Sequence, residues 1–79
     1  MTILIHNLSQ DFTDKQLRKV FEPFGIVLSA TISRNQFSGR SNRNGIVEML
    51  KSEDGENAIK SLDGTIVDGK TITVSNNQK

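Results

Sequence analysis

Cysteine, tryptophan and tyrosine are absent from these 79 residues, and proline occurs once. Without cysteine the chain can build neither a disulfide framework nor a thiolate metal site, and chemistry through a cysteine nucleophile is excluded. No apolar run approaches the roughly 20 residues of a membrane span, and the stretch at residues 3–5 is too brief for a signal sequence. The expectation is a soluble protein without membrane association, in an intracellular, cytoplasmic setting. An excess of one charge is also missing, since 10 Lys and Arg stand against 9 Asp and Glu, a net charge of +1. That balance gives no general attraction to polyphosphate, so any basic footprint has to be local. A chain of this length is read as one domain over residues 1–79. Such a domain buries only about 60% of its unfolded surface and needs a sheet covered by helices.

What is present is periodic. Thr2 to Asn7 is apolar and β-branched and is cut off by the turn residues Ser9-Gln10-Asp11, which predicts a first strand. Thr13 and Gln16 have the spacing of a capping box, and Phe12 can pack on Leu17 as a hydrophobic staple, so a helix is predicted to begin at Asp14. Leu17, Val20, Phe21 and Phe24 form its core-facing stripe, broken by Pro23 and Gly25. Ile26 to Ser33 reads as a second strand in which Val27 falls out of phase with Leu28, Ala30 and Ile32, the mark of a bulge or of an unsettled register. Arg34 to Arg43 is polar, contains Gly39 and the exposed Phe37, and reads as a loop holding three of the four arginines.

From Asn44 to Leu50 the alternation is clear, with Gly45, Val47 and Met49 on one side and Asn44, Ile46 and Glu48 on the other. Asn44-Gly45 is also a hairpin-turn dipeptide, but Ser38-Gly39-Arg40 already supplies a turn, and the strand is the reading adopted. Ser52 is expected to cap a second helix with an acidic first turn, a stripe of Ala58, Ile59 and Leu62, and an end at Gly64. Ile66-Val67, Asp68-Gly69 and Lys70 to Ser75 read as a tight hairpin, with Ile72 and Val74 facing inward. The order strand, helix, strand, strand, helix, strand gives an α+β fold, a ferredoxin-like βαββαβ sandwich whose four-stranded antiparallel sheet carries two helices on one face. The other face is left bare. Alternation places Leu4, His6, Asn44, Ile46, Glu48, Thr71, Thr73 and Ser75 on it, with Ser29 and Thr31 beside them.

Several ordered segments resemble the RNA recognition motif family across nearly the whole chain. They are Ile3-Leu4-Ile5-His6-Asn7-Leu8, Thr13 to Gly25, Ser38 to Met49, Ala58-Ile-Lys-Ser-Leu-Asp-Gly64, and Gly69-Lys70-x-Ile72-x-Val74. In length the chain is similar to the short RNA-binding proteins built from a single such motif. The resemblance implies a hexamer strand at Ile3 to Leu8 and an octamer strand at Asn42 to Met49, which in the family display rings on which unstacked bases lie. The ring positions fall on Leu4, Asn44 and Ile46, and the leading basic position on Asn42. Arg43 stands one residue later, where the family usually has glycine. All three rings are replaced. Stacking is worth about 1 to 3 kcal/mol per base, so their loss predicts weak RNA binding, micromolar or worse.

The reading adopted is an RNA-binding module for single-stranded RNA. Leu4, Ile46 and His6 form its contact platform, Asn44 and Thr73 make polar base contacts, and Arg40 and Arg43 meet phosphates. The loop of Arg34, Arg40 and Arg43 with Phe37 among them reads either as a solvated face or as a mobile phosphate clamp with one stacking ring. Glu48 opposes phosphate on this face but can accept from a base amino group. The alternative is a protein-interaction module whose aliphatic sheet face receives a partner or pairs with itself. His6 has no second histidine or cysteine near it and is not read as a metal ligand, and no cofactor is expected. Acylphosphatases share the layout of elements, but their chemistry needs an arginine gripping phosphate after the first strand. That loop is Ser9-Gln10-Asp11, and no enzymatic activity is expected.

Overall fold

Strand β1, Thr2–His6, shows how alternation positions the sheet. Ile3 and Ile5 are fully buried, while Leu4 is half-buried and His6 exposed. The strand ends one residue earlier than the apolar pattern predicts. Asn7 adopts a left-handed φ of 67° and donates through Nδ2 to the Thr71 carbonyl at 2.8 Å, and asparagine is among the few residues that tolerate this region. Helix α1, Asp14–Phe21, starts where the capping box predicts. The Gln16 N–H donates to Thr13 Oγ1 at 3.2 Å and the Thr13 N–H donates to Gln16 Oε1 at 2.9 Å, so two otherwise orphan donors are satisfied. Phe12 and Leu17 are both buried at this end. A single 3-10 turn, Glu22–Phe24, carries Pro23 and closes the helix.

The computed structural model describes residues 1–77. After α1 come β2, Val27–Arg34, and β3, Ser41–Met49, then helix α2, Ser52–Leu62, the short strands β4, Ile66–Val67, and β5, Lys70–Thr71, and finally β6, Thr73–Asn76. The main sheet is antiparallel in the order β2-β3-β1-β6, so the two motif-bearing strands are central. Both helices pack on the face that carries Ile3, Ile5, Ile32, Val47, Met49 and Val74. Fully burying a side chain of this size contributes about 1.5–3 kcal/mol, and Phe21, Leu17 and Leu8 join the same cluster. Ile59 and Leu62 pack against its margin, and Gly55 and Ala58 are the buried residues of α2.

Four details depart from the sequence reading. Val27 is buried and Leu28 exposed, because the register shifts between Val27↔Met49 and Ser29↔Glu48. The bulge expected at Val27 therefore moves Leu28 out of the core stripe. Ser52 does not cap α2; it is the first helical residue, and Lys51 occupies the cap without a side-chain bond, since an ammonium has no acceptor to offer. Arg43 lies inside β3, which starts at Ser41, and not in a loop. The segment Lys70 to Ser75 is not one strand, because β5 pairs only with β4 and Thr71 is opposite Ile66. The Asp68-Gly69 turn has φ of 51° and 80°, as a two-residue primed hairpin turn requires.

Side chains bond backbone groups on both edges of the sheet. The Ile32 N–H of β2 donates to Asp14 Oδ1 at 2.8 Å, and the Val74 N–H of β6 donates to Asp63 Oδ1 at 2.9 Å. Arg18 donates to the carbonyls of Val27 at 3.0 Å and Leu28 at 3.5 Å. These particular edge groups are thus unavailable to template another strand.

Candidate nucleic-acid interface

Strand register assembles the open face into cross-strand rows. Thr31, Ile46, Leu4 and Ser75 stand opposite one another across all four strands. This row has an aliphatic centre flanked by two hydroxyls. Ile46 is 45% exposed and Leu4 is half-buried, so both present apolar surface outward without being free of their neighbours. The next row is Asn44, His6 and Thr73, about 6.6 Å further along the strands. His6 Nδ1 and Asn44 Oδ1 are 3.1 Å apart, a hydrogen bond that holds the imidazole toward β3. On the other side of the aliphatic row lie Ser29, Glu48 and Thr2. There the Thr2 hydroxyl donates to Glu48 Oε1, which occupies part of the one carboxylate on the face.

Charge is divided between the two ends. Beyond the His6 row, β2 ends at Arg34, the turn that joins it to β3 carries Phe37 and Arg40, and Arg43 sits just inside β3. Lys70 is in the hairpin that leads into β6 at the same end. Among the described residues, the guanidinium groups of Arg34, Arg40 and Arg43 have no intramolecular partner. All three are exposed, so their donors are available to an anion. The acidic first turn of α2, Glu53 and Asp54, follows the opposite end of β3.

The arginine turn is closed by its own hydrogen bonds. The Asn35 N–H donates to the Arg40 carbonyl at 2.8 Å, and the Gly39 N–H returns to the Asn35 carbonyl at 2.8 Å. Asn35 Oδ1 accepts from the N–H groups of Phe37 at 2.9 Å and Ser38 at 3.0 Å. These bonds run through backbone and asparagine and leave Phe37 90% exposed at the tip. A ring so placed cannot serve the core and is free to stack.

The site residues named from sequence fall into two groups. Leu4, His6, Asn44, Ile46 and Thr73 share the sheet, whereas Arg40 and Phe37 lie beyond its edge and Arg43 at the junction. Asn44-Gly45 is strand and not turn. Thr71 is off the sheet, where its carbonyl receives Asn7. The sequence reading missed Asn7, whose side chain locks the hairpin against the end of β1; its tolerance of left-handed backbone was the available signal. It also missed an aliphatic corner at the far end of the sheet. Ile26, Leu28 and Leu50 are 58%, 55% and 52% exposed there, and the Leu50 N–H bonds the Ile26 carbonyl at 3.1 Å. Among the described residues, no three His, Asp or Glu side chains gather as a metal site, and no helix is long and apolar enough to cross a membrane.

The family model described as RNA recognition motif matches residues 3–73. The 28 kDa chloroplastic ribonucleoprotein of Nicotiana sylvestris is 38% identical over 73 residues, 92% of this chain and 26% of that protein. The chain spans between 25% and 38% of the length of the curated relatives it matches. Among solved structures, RNA recognition domains 1 and 2 of Sex-lethal from Drosophila melanogaster superpose with a TM-score of 0.92 at 29% identity, covering 99% of this chain and 50% of that one. A structure described as a Sex-lethal protein/RNA complex superposes with a TM-score of 0.87 at 28% identity, covering 94% of this chain and 46% of that one.

Proposed function

This chain belongs to the RNA recognition motif family, and from that premise we propose that it binds single-stranded RNA across the open sheet face, with the arginines at one end holding the phosphate backbone. The observation that carries the reading is the coincidence, at one end of the bare face, of a polar cross-strand row and three unpartnered guanidinium groups. A base laid on Leu4 and Ile46 meets an aliphatic surface, with hydroxyls on either side. One reaching toward the arginines meets His6, Asn44 and Thr73, which can exchange hydrogen bonds with its edge. Phosphates then fall near Arg40 and Arg43, and Phe37 is placed to stack a further base. The fold match to a protein/RNA complex supports RNA as the ligand. No enzymatic role is proposed.

Affinity is expected to be micromolar or weaker, because aliphatic contact replaces the rings that stack bases in the family. The test is fluorescence anisotropy with labelled random-sequence single-stranded RNA octamers, beside a duplex of the same length. Saturable binding of the single strand and weaker binding of the duplex support the reading. Absence of binding at millimolar RNA refutes it.

The exposed corner of Ile26, Leu28 and Leu50 favours a second reading, in which an aliphatic protein partner or a second copy covers the sheet. Strand-to-strand self-pairing is opposed by the side chains that bond backbone groups on both edges. The two readings separate on charge. RNA binding depends on the arginines, whereas an aliphatic contact depends on Leu4 and Ile46 and survives removal of the arginines.

A further inference from the structure

Resting on the RNA reading above, we infer that Arg43 is a phosphate-contacting residue held on a strained backbone, so that the domain gives up stability to present this cation. Its φ is 63°, where Cβ crowds the following carbonyl oxygen and where a residue other than glycine sits at a free-energy cost. It also sits in a bulge. Between the pairs Ile32↔Gly45 and Arg34↔Ser41, Ser33 alone of β2 faces Asn42, Arg43 and Asn44 of β3. β3 thus carries two residues more than its partner there, and a left-handed residue in a bulge favours glycine.

The backbone of this position is specified and its side chain is not. The Arg43 N–H donates to Ser41 Oγ at 3.0 Å, and its carbonyl accepts from the Leu8 N–H at 2.8 Å. Both bonds use main-chain atoms, so glycine would make them equally well and without strain. The guanidinium meanwhile is exposed and, among the described residues, has no partner that would offset the strain. Such outliers persist where the surroundings over-determine them, and they cluster at ligand sites. The ligand chemistry follows from location. Arg43 directly precedes Asn44, which is paired with His6, at the end of the sheet that also holds Arg34 and Arg40. A planar fork of donors there matches two phosphate oxygens of a strand whose base lies on the face.

The experiment compares the parent chain with Arg43→Gly and Arg43→Lys, by thermal melting and by anisotropy with labelled single-stranded RNA octamers at several salt concentrations. Arg43→Gly is expected to melt about 4 °C higher, as relief of left-handed strain exceeds the added chain entropy. It is expected to bind about fivefold more weakly at 0.1 M salt, with the salt slope flattened by about 0.7, the loss of one phosphate contact on a single strand. Arg43→Lys should keep the parental slope and show no rise in melting temperature. A glycine variant that binds like the parent overturns the inference and leaves the RNA reading standing, as does one whose melting temperature fails to rise. No RNA binding by the parent overturns both.

Discussion

Replacing Ile46 by phenylalanine restores one ring to the centre of the open face with little disturbance elsewhere. Ile46 is 45% exposed and stands opposite Leu4 and Thr31, so a larger side chain extends into solvent and not into the core. Stacking a base on a ring is worth about 1–3 kcal/mol. Isoleucine already supplies part of that apolar contact, which sets the expected gain at the lower end, about 1 kcal/mol or fivefold in Kd. Adding Asn44→Phe is expected to bring less than the first ring. Asn44 Oδ1 is bonded to His6 at 3.1 Å, and the substitution removes that bond, which helps to hold the imidazole in place on the face. The second ring should therefore add less than the first, and because the lost bond does not involve Ile46 its loss weighs equally on the single Asn44→Phe variant and on the double variant. Anisotropy with single-stranded RNA, alongside thermal melting to establish that each variant is folded, measures both effects. A folded Ile46→Phe variant with parental RNA affinity would refute the claim that this residue lies beneath a base.

Three further outcomes follow from the same geometry. Phe21 is fully buried, so Phe21→Ala should cost about 3–5 kcal/mol, most of the stability of so small a domain, and a melting temperature within a few degrees of the parent would show the α1 face to be misassigned. A Cβ at Gly45 would approach Leu17 Cδ2 to 2.8 Å and Leu8 Cδ1 to 3.1 Å; because both leucines are buried and have little room to retreat, denaturant melts should show Gly45→Ala destabilised by about 1–3 kcal/mol. If Arg34, Arg40 and Arg43 each neutralise a phosphate, log K should fall against log salt with a slope near −2, and Arg40→Ala should flatten it by about 0.7 while weakening all sequences alike. A slope near zero with binding intact would leave the arginines as solvated surface.

The order of elements and the bare face were legible because they rest on local signals. The capping box at Thr13, the alternation around Val47 and the Asp68-Gly69 turn each specify their own few residues. What was hidden depends on register. His6 and Asn44 are 38 residues apart in sequence, and no local pattern announces that they share a hydrogen bond. The same holds for Asp14 and Asp63, each of which accepts from an edge strand. Arg43 looked like part of a polar loop because arginine carries no signal for a left-handed bulge, and only the pairing on either side reveals one. Thr71 was placed on the sheet by counting in twos through Lys70 to Ser75. That count fails because Thr71 belongs to a separate hairpin: it pairs with Ile66, and the Ile72 N–H extends the same ladder by donating to the Thr65 carbonyl at 2.9 Å, before β6 begins at Thr73.

The central claim is that RNA lies across the open sheet and is held at the arginine end. Titrating the isotope-labelled chain with short random-sequence single-stranded RNA, and following backbone amide shifts, tests it residue by residue. The account predicts saturable shifts at Leu4, His6, Asn44, Ile46 and Thr73 and along Arg34 to Arg43, with Lys15, Lys19 and the rest of the helical face silent. Shifts confined to the helices, or none on the sheet at millimolar RNA, would contradict it.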